Sequence, residues 1–306
     1  MNISNGTING DLTVDTPNAT VNNKAIVGGV TNIVNVSNNT FNNEGTLNTV
    51  KITDSNGGSF NNTGTINGEI IIVPSSDATA PIILKGNITS EVKVTGNKKP
   101  QVKVEGNIKN IKVEAENTDL EITKKAKVEG TEINAKDSIL TVSGEAVIIN
   151  PVTINQPVTV ISTKPVEAKI EQGVTVNIKE SLKSKGKEVK GKGKDNKVTL
   201  QPEKSLYTFN SKLDKTQYKV EDDITISGVL LDGETALDKV DITLKIENKK
   251  GEMVSVEQTQ TDKDGKFKHT FNVPEELEAG TYILTIKANN PVNQSIEEKL
   301  IIVETK

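Results

Sequence analysis

The sequence predicts an all-β chain, a parallel β-solenoid of about nine coils followed by a seven-stranded immunoglobulin-like β-sandwich. Three observations carry this. One line is written twice over residues 38–72, as NNTFNNEGTLNTVKIT and then GGSFNNTGTINGEIII, about 19 residues apart. Short runs alternate apolar and polar residues, and no window keeps the 3.6-residue spacing of an amphipathic helix over three turns. Beyond residue 203 the alternating runs lengthen and are separated by turn dipeptides.

In the doubled line Phe41 falls on Phe60, Asn42 and Asn43 on Asn61 and Asn62, Gly45 on Gly64, Leu47 on Ile66, and Ile52 on Ile71. A unit of this length cannot bury its own apolar side, so it is stable only when stacked on similar neighbours. Sliding the register both ways gives boundaries at Gly6, Ala25, Gly45, Gly64, Gly86, Gly106, Ala126, Ala146 and Val166. Two positions after each stands an aliphatic: Ile8, Val27, Leu47, Ile66, Ile88, Ile108, Val128, Ile148 and Ala168. Runs such as Leu12-Thr-Val14, Val50-Lys-Ile52, Val92-Lys-Val94, Ile111-Lys-Val113, Leu120-Glu-Ile122, Leu140-Thr-Val142 and Val158-Thr-Val160 read as strands with one buried face. With parallel strands ~4.8 Å apart, about nine coils stack roughly 40 Å high.

Asparagine is concentrated in the first 80 residues, with 17 of them, and Asn22-Asn23, Asn42-Asn43 and Asn61-Asn62 recur at one point of the unit. Their amides are expected to form a hydrogen-bonded ladder along the stack. Several lie in N-x-Ser/Thr sequons, but their fixed place in the repeat favours the structural role. Past Gly86 the outward positions become Lys93, Lys103, Lys109, Lys112, Glu121 and Glu129, which changes the solvent face and leaves the fold alone. Pro151, Pro157 and Pro165 fall between runs, where a missing amide is tolerated.

The solenoid is expected over residues 1–178, a lysine-rich closing coil or hinge over 179–202, and the sandwich over 203–306. The segment 179–197 holds eight lysines against three acids, which suits a solvated closing element or, alternatively, a patch for an anionic wall polymer. Seven runs follow, at 206–213, 223–231, 239–248, 252–260, 266–273, 280–288 and 295–304. Asp232-Gly233, Lys250-Gly251 and Asp264-Gly265 supply turns. Tyr282 is placed to tie a corner of the sandwich to the backbone.

Composition excludes several chemistries. There is no arginine and no cysteine, and formal net charge is −4. Bidentate reading of phosphate or guanine loses its usual residue, which argues against a nucleic-acid partner, and thiol, disulfide and zinc-thiolate chemistry are excluded. Aromatics are 3 percent, so the core must be built from small aliphatics in many layers. No stretch reaches the ~18 apolar residues of a membrane span, so no membrane insertion is expected. The start, MNISNGTINGDLTV, is not a secretory signal, so the chain reads either as a fragment beginning at an added Met1 or as a protein released by another route such as lysis of its cell.

No catalytic, cofactor or metal site is expected. Polysaccharide-cleaving solenoids use a basic proton acceptor, commonly arginine, or paired carboxylates. This solenoid has neither arginine nor histidine, and its acids Asp11, Asp15, Glu44, Asp54 and Glu69 are scattered singly. The one histidine, His269, shares a strand face with Phe267 and Phe271 and suits a half-buried sandwich position. Asp262-Lys-Asp264-Gly265 opens like a calcium loop but continues with Lys266 and Val273 where ligands belong, so a hairpin turn is expected. The acidic runs Glu221-Asp-Asp223 and Glu275-Glu276 read as solvated edge and loop. An isopeptide crosslink would need a lysine and an asparagine to meet in the sandwich core beside a carboxylate.

Two resemblances bear on function. Asp214-Lys-Thr-Gln-Tyr218, Ile224-Thr-Ile-Ser-Gly228, Thr261-Asp-Lys-Asp-Gly-Lys-Phe267 and Ala279-Gly-Thr-Tyr-Ile-Leu-Thr-Ile286 resemble the macroglobulin-type and bacterial immunoglobulin-like domains of surface proteins. The FNN-x-GT unit is similar to β-solenoid segments of Firmicutes surface-layer and cell-wall proteins and to repeats in filamentous adhesins. Neither a surface-layer anchor nor a C-terminal sorting motif accompanies them. The resemblances imply a structural subunit of an extracellular surface assembly, on a cell or spore, that self-associates through the edges of its solenoid. The alternative they imply is an adhesin with a solenoid stalk and a ligand-binding sandwich. The expected contact lies within residues 1–36, because Met1 stands five residues ahead of the first boundary and leaves no room for a capping helix.

Overall fold

The computed structural model describes residues 1–123, 125–182, 184, 186–202, 207–273, 277–289 and 292–303. Every regular element among them is a strand. The chain divides into two compact units that meet in sequence near residue 203.

The first unit is a parallel β-solenoid of about nine turns. One face of each turn is a short strand: Val21–Asn23, Thr40–Asn43, Gly58–Asn62, then the start of Ile82–Val94, Gln101–Val104, Asp119–Ile122, Ser138–Val142, Val158–Ser162 and Thr175–Lys179. The other face is longer and bent, as in Ile26–Asn35, Thr46–Ile52, Asn107–Val113 and Lys127–Ile133. Alternation within each run turns one side chain in two to the interior. Parallel register then stacks like on like: Val27 on Leu47 on Ile66, and Val50 on Ile70 on Val92 on Ile111. Nearly all of these are fully buried, each contributing about 1.5–3 kcal/mol. Phe41 and Phe60 stack with ring centroids 5.9 Å apart and planes at 9°.

The expected column two positions after each boundary holds through Ile148 and then fails. Ala168 pairs with Val152, in the neighbouring column, because the last coil is shorter and skips one corner. The strand Val147–Ile148 therefore pairs only with Lys127–Ile133. Lys164 fills the gap with its ammonium, donating to the carbonyl oxygens of Ala146 and Gly144.

Two corner geometries separate the glycine boundaries Gly45 and Gly64 from the alanine boundaries Ala126 and Ala146. The amides of Gly45 and Gly64 reach the coil below, donating to Asn23 O at 3.1 Å and Asn43 O at 2.9 Å. At Ala126 and Ala146 the amide turns back within its own coil, to Thr123 O at 3.1 Å and Ser143 O at 3.3 Å. At Gly45 and Gly64 a Cβ would collide with a backbone carbonyl oxygen of the coil below, whereas the methyl groups of Ala126 and Ala146 are accommodated and buried.

The inward column that carries Val50 also carries Thr31 and Thr131, both buried, and their hydroxyls have no hydrogen-bond partner. Valine is nearly isosteric and removes the desolvated hydroxyl. Thr31→Val is therefore expected to stabilise the solenoid by about 1–2 kcal/mol, read as a raised urea midpoint with an unchanged slope.

The second unit is an immunoglobulin-like sandwich. A four-stranded sheet joins Tyr207–Leu213, Asp223–Asp232, Thr235–Ala236 and Lys266–Asn272. A five-stranded sheet runs from Tyr218–Lys219 through Gln294–Val303, Gly280–Ala288 and Asp241–Glu247 to Met253–Gln260. All seven expected runs are strands, and two strands of two residues each are added. Gly233, Gly251 and Gly265 have φ of 59°, 78° and 72°, the left-handed conformation their turns require. Tyr282 ties its corner by donating to Glu278 O at 3.1 Å. Tyr218 makes a second, buried tie: its hydroxyl donates to Asp214 Oδ1 at 2.8 Å and accepts from Lys215 N at 3.1 Å. Burial pushes that hydroxyl's pKa up to about 12.

Candidate assembly interface

The two ends of the solenoid are built differently. At the first turn, Asn2–Ile3 pairs only with Val21–Asn23, while Thr7–Ile8 and Leu12–Asp15 pair only with Ile26–Asn35. Among the described residues each of these strands has one unpaired edge. Ile3, Ile8 and Leu12 pack on the core but are only partly buried, whereas Leu47 and Val50 higher in the stack are fully buried.

Two amide ladders run from this end into the stack. The outer one descends: Asn61 Nδ2 donates to Asn42 Oδ1 at 3.0 Å, Asn42 to Asn22 at 2.8 Å, and Asn22 to Asn2 at 2.9 Å. The inner, buried one ascends: Asn23 Nδ2 donates to Asn43 Oδ1 at 2.9 Å, and Asn43 to Asn62 at 2.8 Å. Each inner amide also donates to the corner carbonyl two residues on, at Ala25, Gly45 and Gly64. From Lys85 onward ion pairs join coils, for example Lys93–Glu69 at 3.2 Å and Lys103–Glu121 at 3.1 Å, and one further amide pair recurs where Asn155 Nδ2 donates to Asn134 Oδ1.

The far end is closed. Lys187–Lys190 pairs antiparallel with Thr175–Lys179, and Lys197–Leu200 antiparallel with Val166–Ile170. Leu200 is buried and Val189 and Val198 pack partly on the core, so the lysine-rich segment contributes a lid. Lys197 pairs with Glu167 at 3.1 Å and Lys194 with Glu171 at 3.2 Å. Hydrogen bonds from Thr199 and Lys197 hold the Glu167 carboxyl below its ordinary range, and a hydrogen bond from Lys194, with the Gln172 amide, does the same for Glu171. A lowered carboxylate pKa stabilises above the unfolded value and loses that contribution as pH falls through the folded value. The lid should therefore loosen as pH drops below 4.5, seen as falling hydrogen-exchange protection at residues 197–200, a loss that a K194Q/K197Q variant should show already at neutral pH.

The scattered solenoid acids have structural work. Asp54, buried, accepts from Val36 N at 2.7 Å and Asn56 N at 2.8 Å. Asp11 accepts from Val30 N at 2.8 Å, Glu44 pairs with Lys24 at 3.3 Å, and Glu69 with Lys93. In the sandwich, His269 Nε2 lies 3.3 Å from Glu257 Oε2 and its ring stacks on Phe271. Asp262 Oδ1 accepts from the amides of Asp264 and Lys266, both at 2.9 Å, which makes the segment a hairpin turn. Asp222 accepts from Lys219 N and pairs with Lys215, and Asp223 accepts from Asn272. Glu275 and Glu276 lie outside the described residues, as does the end of the chain past Val303. No lysine is among the buried side chains of the sandwich, so the described core holds no isopeptide donor. Among the described residues no helix is long and apolar enough to cross a membrane. Lys164 and the Asp214–Tyr218 tie were missed in the sequence, because each depends on a partner set by the fold.

These features define an all-β chain, a parallel solenoid whose first strands each keep an unpaired edge among the described residues and whose last coil is lidded, followed in sequence by an immunoglobulin-like domain. Residues 206–301 match the MG2 domain, so the sandwich is a macroglobulin-like module. No curated protein matches the chain. Among solved structures, Spo0M, a sporulation control protein from Bacillus subtilis, is similar at 14% identity and a TM-score of 0.23, over 33% of this chain and 50% of that one. The b-glucosidase EmGH1 from Erythrobacter marinus is similar at 10% identity and a TM-score of 0.23, over 40% and 18%. A beta-glucosidase from Listeria innocua is similar at 8% identity and a TM-score of 0.24, over 56% and 38%. The chain spans half or less of the length of these proteins, and likeness at this level carries no argument about activity.

Proposed function

We propose that the protein is a structural subunit of a bacterial extracellular surface assembly, such as a surface layer or a spore or cell appendage, and performs no catalysis. It self-associates through the open edge of its solenoid. The observation that carries this reading is the asymmetry of the ends. A row of unpaired amides and carbonyls over half-buried Ile3, Ile8 and Leu12 is a template for another strand. The opposite end spends two antiparallel strands, lysines and glycines on covering the same kind of edge. Pairing of Lys194 and Lys197 with Glu171 and Glu167 supports a closing role for that segment over a patch for an anionic wall polymer.

Light scattering across a concentration series compares the full chain with a deletion of residues 1–24. The full chain is expected to grow in mass with concentration, and the deletion, which removes the first row and bares the next, to change that growth. Equal monomeric behaviour of both at all concentrations rules the reading out.

A further inference from the structure

We propose that the outer face of the four-stranded sheet in the sandwich is a binding site for a ligand carrying two or three anionic groups, of the kind found on sulfated or uronic-acid saccharides. A shallow concavity of 550 Å³ opens there over Gly228 and Val229, of a size suited to a small ligand. Its rim carries Lys212, Lys266 and Lys268, with Asn210 and Ser227 between them.

Register fixes the arrangement. Lys212 and Lys268 both sit opposite Ser227, one on each neighbouring strand, and Asn210 and Lys266 both sit opposite Val229. Strand spacing places Lys212 and Lys268 roughly 10 Å apart, and the two-residue step places Lys266 roughly 7 Å from Lys268. The three strand positions thus lie roughly 7–12 Å apart, a spacing that two or three anionic groups on one small ligand can span. Among the described residues no carboxylate forms an ion pair with any of the three. The one acid on the rim, Asp262, has Oδ1 committed to the amides of Asp264 and Lys266. In the same sandwich Lys245 pairs with Glu247 at 2.9 Å and Lys215 with Asp222 at 3.2 Å, so the three rim lysines differ from these in facing the cavity without an ion pair of their own. Three lysines against one acid leave the rim net positive, which favours an anionic ligand. The lining is largely apolar, from Val229 and the lysine stems, and supplies contact area, while the hydroxyl of Ser227 and the amide of Asn210 supply donors. The site has no aromatic ring exposed for stacking, because Phe267 is buried with its ring against Gly228. That disfavours neutral sugars and leaves charge as the basis of recognition.

Calorimetric titration of the full chain at low salt, with a sulfated and a uronate oligosaccharide each beside its neutral counterpart, tests the site. At least one anionic probe is expected to bind and the neutral ones not, with affinity weakened at least about tenfold in K212Q/K266Q/K268Q. Ser227→Glu should abolish binding by placing a carboxylate among the lysines, and K212R/K266R/K268R should retain it. A K187Q/K190Q/K192Q variant in the solenoid lid should bind like the parent. All the substituted side chains are exposed, so melting curves should match the parent. Binding that survives Ser227→Glu, binding lost only in the lid variant, or no binding of either anionic probe at about 1 mM overturns the proposal. The two probes separate sulfate from carboxylate recognition.

Discussion

Asn43→Ala is expected to destabilise the solenoid by about 2–4 kcal/mol, although it removes one small polar side chain. Asn43 is the middle rung of the buried ladder, accepting from Asn23 and donating to Asn62 and to Gly45 O. Truncation leaves a proton of the Asn23 amide and the Oδ1 of Asn62 without partners, in a core where those residues are buried. An unmet buried group costs about 1–3 kcal/mol, and a water able to enter the cavity would recover part of it. Asn42 provides the control. It is the middle rung of the outer ladder, half-exposed, and water can replace its bonds to Asn22 and the amide of Asn61. Asn42→Ala should cost about 1 kcal/mol or less. Urea unfolding of both variants checks the contrast; equal losses would show that burial of the inner ladder contributes nothing.

That contrast marks what was legible in the sequence. The repeat, the period-2 runs and the Asn pairs were enough to stack the coils, because each is a local pattern that a parallel stack copies from turn to turn. Phe41 on Phe60 and Asn43 on Asn62 are in register as read, but Ile52 pairs with Ile72 and Ile71 with Lys51, because the corner between Ile66 and Ile70 holds one residue more than that between Leu47 and Val50. What escaped were features in which the copying stops. Ala168 obeys the 20-residue spacing but stands in another column, since a shortened coil dropped a corner that spacing alone cannot show. The two ladders differ only in which side of the strand each asparagine faces, and their opposite polarity is a property of the stack. The lysine-rich segment read as a closing coil or hinge, with a patch for an anionic polymer as the alternative; the antiparallel pairing of Val189 and Val198 over the last coil makes it a lid. In the sandwich the strands were evident from alternation, but the meeting of Lys212 with Lys266 and Lys268 across Ser227 required the register of three strands distant in sequence.

The ends of the stack also separate two roles that edge strands take. Lysines on the closing strands keep a hydrated charge along one edge and find carboxylates on the coil they cover, which satisfies them without another chain. Among the described residues the first row holds no lysine, and its acids are Asp11, bonded to Val30 N, and Asp15, exposed at the end of its strand. Association at that edge would extend both the sheets and the amide ladder, since Asn2 is the last acceptor of the outer chain of amides.

Gly86→Ala is expected to lower solenoid stability by at least about 3 kcal/mol. Gly86 lies inside the continuous strand Ile82–Val94, where it carries the chain around a corner with φ of 78°. A side chain in that conformation costs about 1–2 kcal/mol by itself. Its Cβ would also stand 2.0 Å from Asn62 O and 2.7 Å from Asn62 C, both backbone atoms of the coil below. Those atoms cannot swing aside as a side-chain end would. Relief requires the two coils to separate, which breaks the pairing of Gly86 with Asn62 and strains the last rung of the inner ladder. Ala126 is the matched test of the corner argument, because its amide bonds back to Thr123 and its methyl group is accommodated and buried. Ala126→Gly should cost only about 1 kcal/mol, from lost burial and a freer unfolded chain. Urea midpoints of the two variants decide the matter: a Gly86→Ala loss no larger than that of Ala126→Gly would mean that the corners are alike and that the contact with Asn62 yields freely.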